Sequence, residues 1–194
     1  MENGKVVGRG ELKLAEAVGA FRYDFRGKTV LDIGSSTGGF TELALRLGAE
    51  KVIAIEKGTR QMKAPLRYDK RVELHEKTDF LQIENDVQLV TPLQVQTVVA
   101  DVSFVSLRTI LERAKKVVVR GADYLVMLKP QFEARPEQLV KGVVKNERMR
   151  REIMQGFERW LVKNGFYILK KRDNELMGKN GNRERFYWLK VAGK

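Results

Sequence analysis

The chain has 194 residues, enough for one sizeable core and short for two large domains. Lys and Arg number 37 against 25 Asp and Glu, a formal charge of +12, which favours polyanionic partners through attraction and counterion release. There is no cysteine for a disulfide or thiolate zinc site, no apolar start of signal-peptide type and no run long enough to span a bilayer; a cytoplasmic protein with no membrane role is expected.

Residues 1–9 are polar and glycine-rich and read as a flexible lead-in, with 10–194 as one domain. From Gly10 to Phe21, the pattern Leu12, Leu14, Ala15, Ala17, Val18 and Phe21 fits a helix with one apolar face. Val30, Leu31 and Ile33 then form an apolar run suited to a parallel strand covered on both faces. Gly34 can take positive φ and turn the chain sharply at the strand's end. Ser35, Ser36 and Thr37 offer capping oxygens, and Gly38 and Gly39 would let a ligand lie close to the main chain before Phe40 and Thr41 lead into a helix ending at Gly48. Open α/β sheets bind ligands at such strand-loop-helix edges. The pattern Gly-x-x-x-Gly-Gly lacks the second glycine of the dinucleotide fingerprint, and no Gly-Lys-Ser/Thr follows. The next strand, Lys51 to Glu56, ends in an acid placed to accept ribose hydroxyls. A cofactor with a ribose and no pyrophosphate fits, and S-adenosylmethionine is the obvious one.

Further on, residues 59–69 read as a short helix interrupted at Pro65, and Arg71 to Leu74 as a third strand leading to Asp79 and Phe80. Residues 81–91 allow a short helix. The β-branched stretch Val95 to Asp101 is a fourth strand, Leu107 to Val118 a helix, and Tyr124 to Lys129 a fifth strand stopped by Pro130. Residues 130–145 read as a long loop, of the kind that carries function. Asn146 caps a helix over 147–164, closed by Asn164 and Gly165. Phe166 to Lys171 and Glu184 to Val191 are the sixth and seventh strands, joined by a polar connection. The expected fold is α/β and Rossmann-like: a mostly parallel seven-stranded sheet with an antiparallel C-terminal strand and helices on both faces. Trp160 and Trp188 sit in apolar patterns and read as core, and the single histidine, His75, has no metal-binding companions.

Five motifs appear in order: Gly8-Arg9-Gly10-Glu11-Leu12-Lys13-Leu14, Leu31 to Thr41, Asp101-Val102-Ser103-Phe104-Val105-Ser106-Leu107, Lys129-Pro130-Gln131-Phe132-Glu133 and Gly181-Asn182-Arg183-Glu184. Together they resemble the hemolysin A or TlyA family of FtsJ-like ribose 2′-O-methyltransferases, over nearly the whole chain. The resemblance implies a methyltransferase sheet, S-adenosylmethionine as donor with S-adenosylhomocysteine as product, and methylation of a ribose 2′-oxygen in ribosomal RNA, typically of cytidine in either ribosomal subunit. Such proteins usually begin with an S4-type RNA-binding domain, and this chain starts where that domain would end. It also has Gly8-Arg9-Gly10-Glu11 where relatives often have Ser-Arg-Gly-Gly.

FtsJ-like enzymes use a Lys-Asp-Lys-Glu set, which the resemblance places on Lys13, Asp101, Lys129 and Glu184. The residues themselves agree in part: Asp101 and Lys129 each end a predicted parallel strand and so face the ligand-bearing edge. A ribose hydroxyl must lose its proton as the methyl moves; Lys129 is the candidate base, helped by burial or by a nearby cation such as Lys13, with Asp101 and Glu184 holding it in line. For the cofactor, Gly34, Ser35, Ser36, Thr37, Gly38, Gly39 and Phe40 would take the methionine part, Glu56 the ribose, and Asp79 with Phe80 the adenine; Asp101 faces the same edge. Asp79 could equally cap a short helix. RNA would lie along the basic loop 130–145, Lys5, Arg9, Arg22, Lys179, Arg183 and Arg185. The competing readings are a catalytically inactive RNA-binding domain on this fold, a base or small-molecule methyltransferase, and a membrane-lytic protein. The retained four-residue set opposes the first; the lack of an Asn-Pro-Pro-Tyr-like run after the fourth strand opposes base methylation. No spanning or amphipathic segment supports lysis, and the hemolysin label of some relatives is a historical name.

Overall fold

The computed structural model describes residues 8–85, 93–178 and 180–192. A seven-stranded sheet is built from β1 (Thr29–Ile33), β2 (Lys51–Glu56), β3 (Val72–Glu76), β4 (Thr97–Ala100), β5 (Asp123–Leu128), β8 (Phe166–Asp173) and β9 (Arg185–Val191). Their order is β3-β2-β1-β4-β5-β9-β8. The pairs among β1 to β5 are parallel, while β9 runs antiparallel to both β5 and β8. The crossover at β1 and β4 leaves a crevice at the carboxyl edge of the sheet, where ligands bind in this architecture.

Alternation along the central strands sends side chains to two cores. Leu31, Ile33, Val98, Tyr124 and Val126 pack under α3 (Leu107–Val117) and α4 (Glu147–Lys163) through Ile110, Leu111, Phe157 and Leu161. Val30, Val52, Val99, Leu125 and Met127 face α1 (Arg9–Phe21) and α2 (Gly39–Arg46) through Leu14, Phe21, Phe40 and Leu43. The uninterrupted apolar strands are thus explained by burial on both faces. Trp160 and Trp188 are partly buried against these cores. His75 lies in β3 and contacts Glu73.

Several boundaries differ from expectation. The third strand extends through Glu76, and the proposed helix over 59–69 reduces to one 3₁₀ turn, Leu66–Tyr68. A 3₁₀ turn covers Phe80–Asn85; the rest of the expected 81–91 helix, most of the 1–9 lead-in, and Lys5 and Lys179 lie outside the described residues. The expected loop 130–145 contains 3₁₀ turns at Pro130–Phe132 and Pro136–Gln138 and a small hairpin, β6 (Leu139–Val140) with β7 (Val143–Val144). Lys141 and Gly142, both at positive φ, supply the backbone a two-residue hairpin turn needs. Asn146 caps α4 as anticipated, its side chain accepting from the Met149 amide at 2.9 Å.

Candidate functional site

Two cavities open side by side along the carboxyl edge. The first, about 640 Å³, is lined by Gly34, Ser36, Glu56, Gln61, Asp79 and Phe80, with Asp101 to Val105 forming the far wall. The second, about 650 Å³, is lined by Arg9, Lys13, Lys129, Phe132, Asn180 and Glu184 and shares Asp101, Ser103 and Phe104 with the first. Asp101 follows β4 directly and Lys129 follows β5 directly, so parallel neighbours deliver both to the same rim. Because β9 is antiparallel, Glu184 at its start reaches that rim too. Lys13 arrives from α1.

The four polar residues form two ion pairs. Lys129 Nζ lies 2.6 Å from Asp101 Oδ1 and donates to Ser103 Oγ at 2.8 Å. Lys13 donates to Glu184 Oε2, and both side chains are nearly buried. Of the two acids expected to hold Lys129 in line, Asp101 does so, while Glu184 pairs with Lys13, 171 residues away in sequence. Gly178 leaves room for that carboxylate, since a Cβ there would come within 2.8 Å of Glu184 Oε1.

In the first cavity, Glu56 accepts from the Ser36 amide at 2.8 Å and the Gly58 amide at 2.6 Å, which fixes its carboxylate at the cavity wall. Asp79 pairs with Lys57 at 2.8 Å, and that hydrogen bond holds its carboxyl below the usual range. It also accepts from the Leu81 amide at 3.0 Å, so the capping role and the cavity-facing position coexist. Ile55, Leu81, Val102, Val105 and Ile110 form the apolar part of the wall, beside Lys57, Thr78 and Ser103. Fixed carboxylates beside an apolar surface suit a nucleoside, with hydroxyls to satisfy and a flat ring to cover.

The residues assigned to the glycine turn divide. Gly34 (φ 79°) turns the chain against Asp101, whose carbonyl oxygen a Cβ would approach to 3.4 Å, and Ser36 lines the cavity. Ser35, Thr37, Gly38, Gly39 and Phe40 do not line it. None of the expected capping oxygens caps α2; Gly38 is its N-cap, at φ 93°. A Cβ on Gly38 would meet Leu66 Cδ2 at 2.4 Å, and one on Gly39 the Glu11 amide at 3.0 Å. At both glycines neighbouring protein takes up the space a Cβ would need. Phe40 is 3% exposed and packs on Phe186.

Sequence reasoning passed over two features. Asp32 is 1% exposed within β1, where Thr41 Oγ1 donates to it at 2.6 Å. Burial pushes its carboxyl up to about 7, with Asp101 and Glu56 adding to the rise and Thr41 opposing it. An acid inside an apolar run was visible, but not its depth. Phe104 is the reverse: a bulky side chain 92% exposed at φ 63°, its ring 5.2 Å from that of Phe132. An aromatic held open at the junction of two cavities offers a stacking surface. Nothing in the residue pattern distinguished it from a core phenylalanine.

A model of the FtsJ-like methyltransferase family matches residues 6–191. The 16S/23S rRNA (cytidine-2′-O)-methyltransferase TlyA of Mycobacterium tuberculosis is 36% identical over 186 residues, covering 95% of this chain and 68% of that protein. The 23S rRNA (cytidine-2′-O)-methyltransferase TlyA of Campylobacter jejuni is 30% identical over 94% of this chain and 70% of its own length. A solved structure from Streptococcus thermophilus that carries the hemolysin label superposes with TM-score 0.90 at 32% identity, covering 100% of this chain and 70% of that one.

Proposed function

Since the chain belongs to the FtsJ-like methyltransferase family, we propose that it transfers the methyl group of S-adenosylmethionine to a ribose 2′-hydroxyl of ribosomal RNA, with cytidine as the target nucleoside. The observation that carries this reading is the Lys129–Asp101 pair at the boundary of the two cavities. A methyl donor in the first cavity and a ribose in the second would meet there.

The nucleoside part of the cofactor would be held by Glu56 at the ribose and by Asp79 with Phe80 at the adenine, its methionine end running past Gly34 and Ser36 toward Asp101. S-adenosylmethionine supplies a methyl already activated by its sulfonium, so the protein's work is chiefly orientation and removal of one proton. Lys129 Nζ, held from two sides by Asp101 and Ser103, would take the proton from the ribose 2′-oxygen once its ammonium has given up one of its own protons to solvent. The Lys13–Glu184 pair walls the same cavity and would fix the ribose or its adjoining phosphate. Phe104 would stack on the target base. Arg9 and Arg183, with the Lys141 hairpin above them, would hold neighbouring phosphates, giving affinity without sequence choice.

The substrate would be ribosomal RNA, free or within a subunit, in the cytoplasm. Among the described residues no helix is long and apolar enough to cross a membrane. The test is mass mapping of ribose methylation on ribosomal RNA incubated with the protein and S-adenosylmethionine. New methylation at a 2′-oxygen is expected; methyl found on a base, or none on either subunit's RNA, would overturn the reading.

A further inference from the structure

Glu133 ends the Lys129-to-Glu133 motif, and nothing in methyl transfer as set out above uses it. Its side chain is 2% exposed, an expensive place for a carboxylate unless it is well partnered. The partners lie on another loop. Glu133 accepts from the Leu107 amide at 2.6 Å and from Ser106 Oγ at 3.0 and 2.9 Å, and Arg108 Nε stands 3.2 Å away. These groups start α3. The helix already has a cap of its own, since Ser106 Oγ accepts from the Arg108 amide at 3.2 Å. The second acceptor, brought from the loop after β5, takes a different amide of the same helix start, that of Leu107.

What the carboxylate adds is a tie between two loops. One leaves β4 with Asp101, Ser103 and Phe104 and ends at Ser106; the other leaves β5 with Lys129 and Phe132 and ends at Glu133. They touch at three levels: Lys129 with Asp101 and Ser103 at the sheet, Phe104 with Phe132 midway, and Glu133 with Ser106 and Leu107 at the far end. Only the last is buried and held by several hydrogen bonds at once. We propose that Glu133 is a positioning residue for methyl transfer: by pinning the loop after β5 to the start of α3, it sets Lys129 against Asp101 and Ser103. This rests on the reading that Lys129 acts at the ribose oxygen, but the tie itself is a property of the protein without substrate.

The test uses the full chain and the variants Glu133→Gln and Glu133→Ala. Two readouts are taken: the single-turnover methylation rate on ribosomal RNA at saturating cofactor, and competitive acetic anhydride labelling of lysines, quantified by mass spectrometry. In Glu133→Ala the rate falls by about a hundredfold, the scale of a misplaced reacting group, and Lys129 labels severalfold faster as it leaves Asp101. Lys13, whose partner lies on neither loop, labels as in the wild type. Glu133→Gln keeps an acceptor for the Leu107 amide and recovers part of both effects. Unchanged Lys129 labelling in folded Glu133→Ala overturns the proposal, whatever happens to the rate, because Glu133 would then act elsewhere. Should Glu133→Ala melt below the assay temperature, labelling in Glu133→Gln decides by the same criterion. A wild-type protein that transfers no methyl would defeat the functional reading alone, and the labelling would still decide the tie.

Discussion

The substitution Asp32→Asn should change how stability depends on pH, in a direction fixed by where the carboxyl sits. Its native value is pushed up to about 7 from 3.8, because burial penalises the charged form. Between those values the native chain keeps a proton that the unfolded chain releases. Raising the pH therefore favours unfolding through that window and has no further effect above it. At about 1.4 kcal/mol per unit, the full span is worth about 4 kcal/mol, of which about 2 kcal/mol is lost between roughly pH 5 and 7. The amide of the variant cannot ionise, yet its oxygen can still accept from Thr41. Carboxylates held low by ion pairs, such as Glu76 at about 2 beside Arg67, change protonation below this range and cancel between the two proteins. Urea unfolding at intervals from about pH 5 to 8 is the assay. The wild-type free energy should fall relative to the variant by about 2 kcal/mol up to neutrality and then run level. Curves that stay parallel throughout would show that Asp32 is ionised in the native protein and that another group solvates it.

Lys129→Ala should leave cofactor affinity near wild type and cut single-turnover methylation by about 10²–10⁴, the usual worth of a general base; Lys129→Arg should recover little, since guanidinium keeps its proton. Near-wild-type chemistry in the Arg variant, measured on ribosomal RNA, would move the base elsewhere. Phe104→Ala should weaken RNA affinity by about 1–3 kcal/mol in a filter-binding titration, with S-adenosylhomocysteine affinity and melting temperature little altered, because the ring is exposed. Unchanged RNA affinity would remove the stacking role. Gly38→Ala should destabilise by more than about 1 kcal/mol, since both its φ of 93° and Leu66 at 2.4 Å oppose a methyl group; a thermal melt matching wild type would count against that packing.

The parts legible in the sequence are those set by local pattern. Buried apolar runs ending abruptly in Asp101, Lys129 and Glu56 revealed the strands and which ends face the crevice. The Asn146 cap and the Asn164-Gly165 close were equally plain, since helix termini are read within a few residues. Lys13 and Glu184 enter as site residues only through the family resemblance, and their pairing with each other was not legible at all, because nothing local links the first helix to the last strand. Gly38 and Gly39 show the limit most clearly. A glycine announces that something approaches closely, but whether that something is a ligand or the side chain of Leu66 is decided by distant packing. Phe104 and Asp32 fail for the same reason in opposite senses: one an apolar residue left outside, the other an acid sealed within.

The antiparallel course of β9 has a bearing on biosynthesis. Translation delivers the first helix 171 residues before Glu184, yet the two must meet for the second cavity to be complete. A nascent chain that has emerged only through α4 can pair β1 to β5, but it has neither β9 along β5 nor a counter-charge for Lys13. Contacts of large sequence separation are also slow to form. Closure of the second cavity is thus deferred until β9 has been made, so that products terminated before it would carry the first cavity without a complete second one.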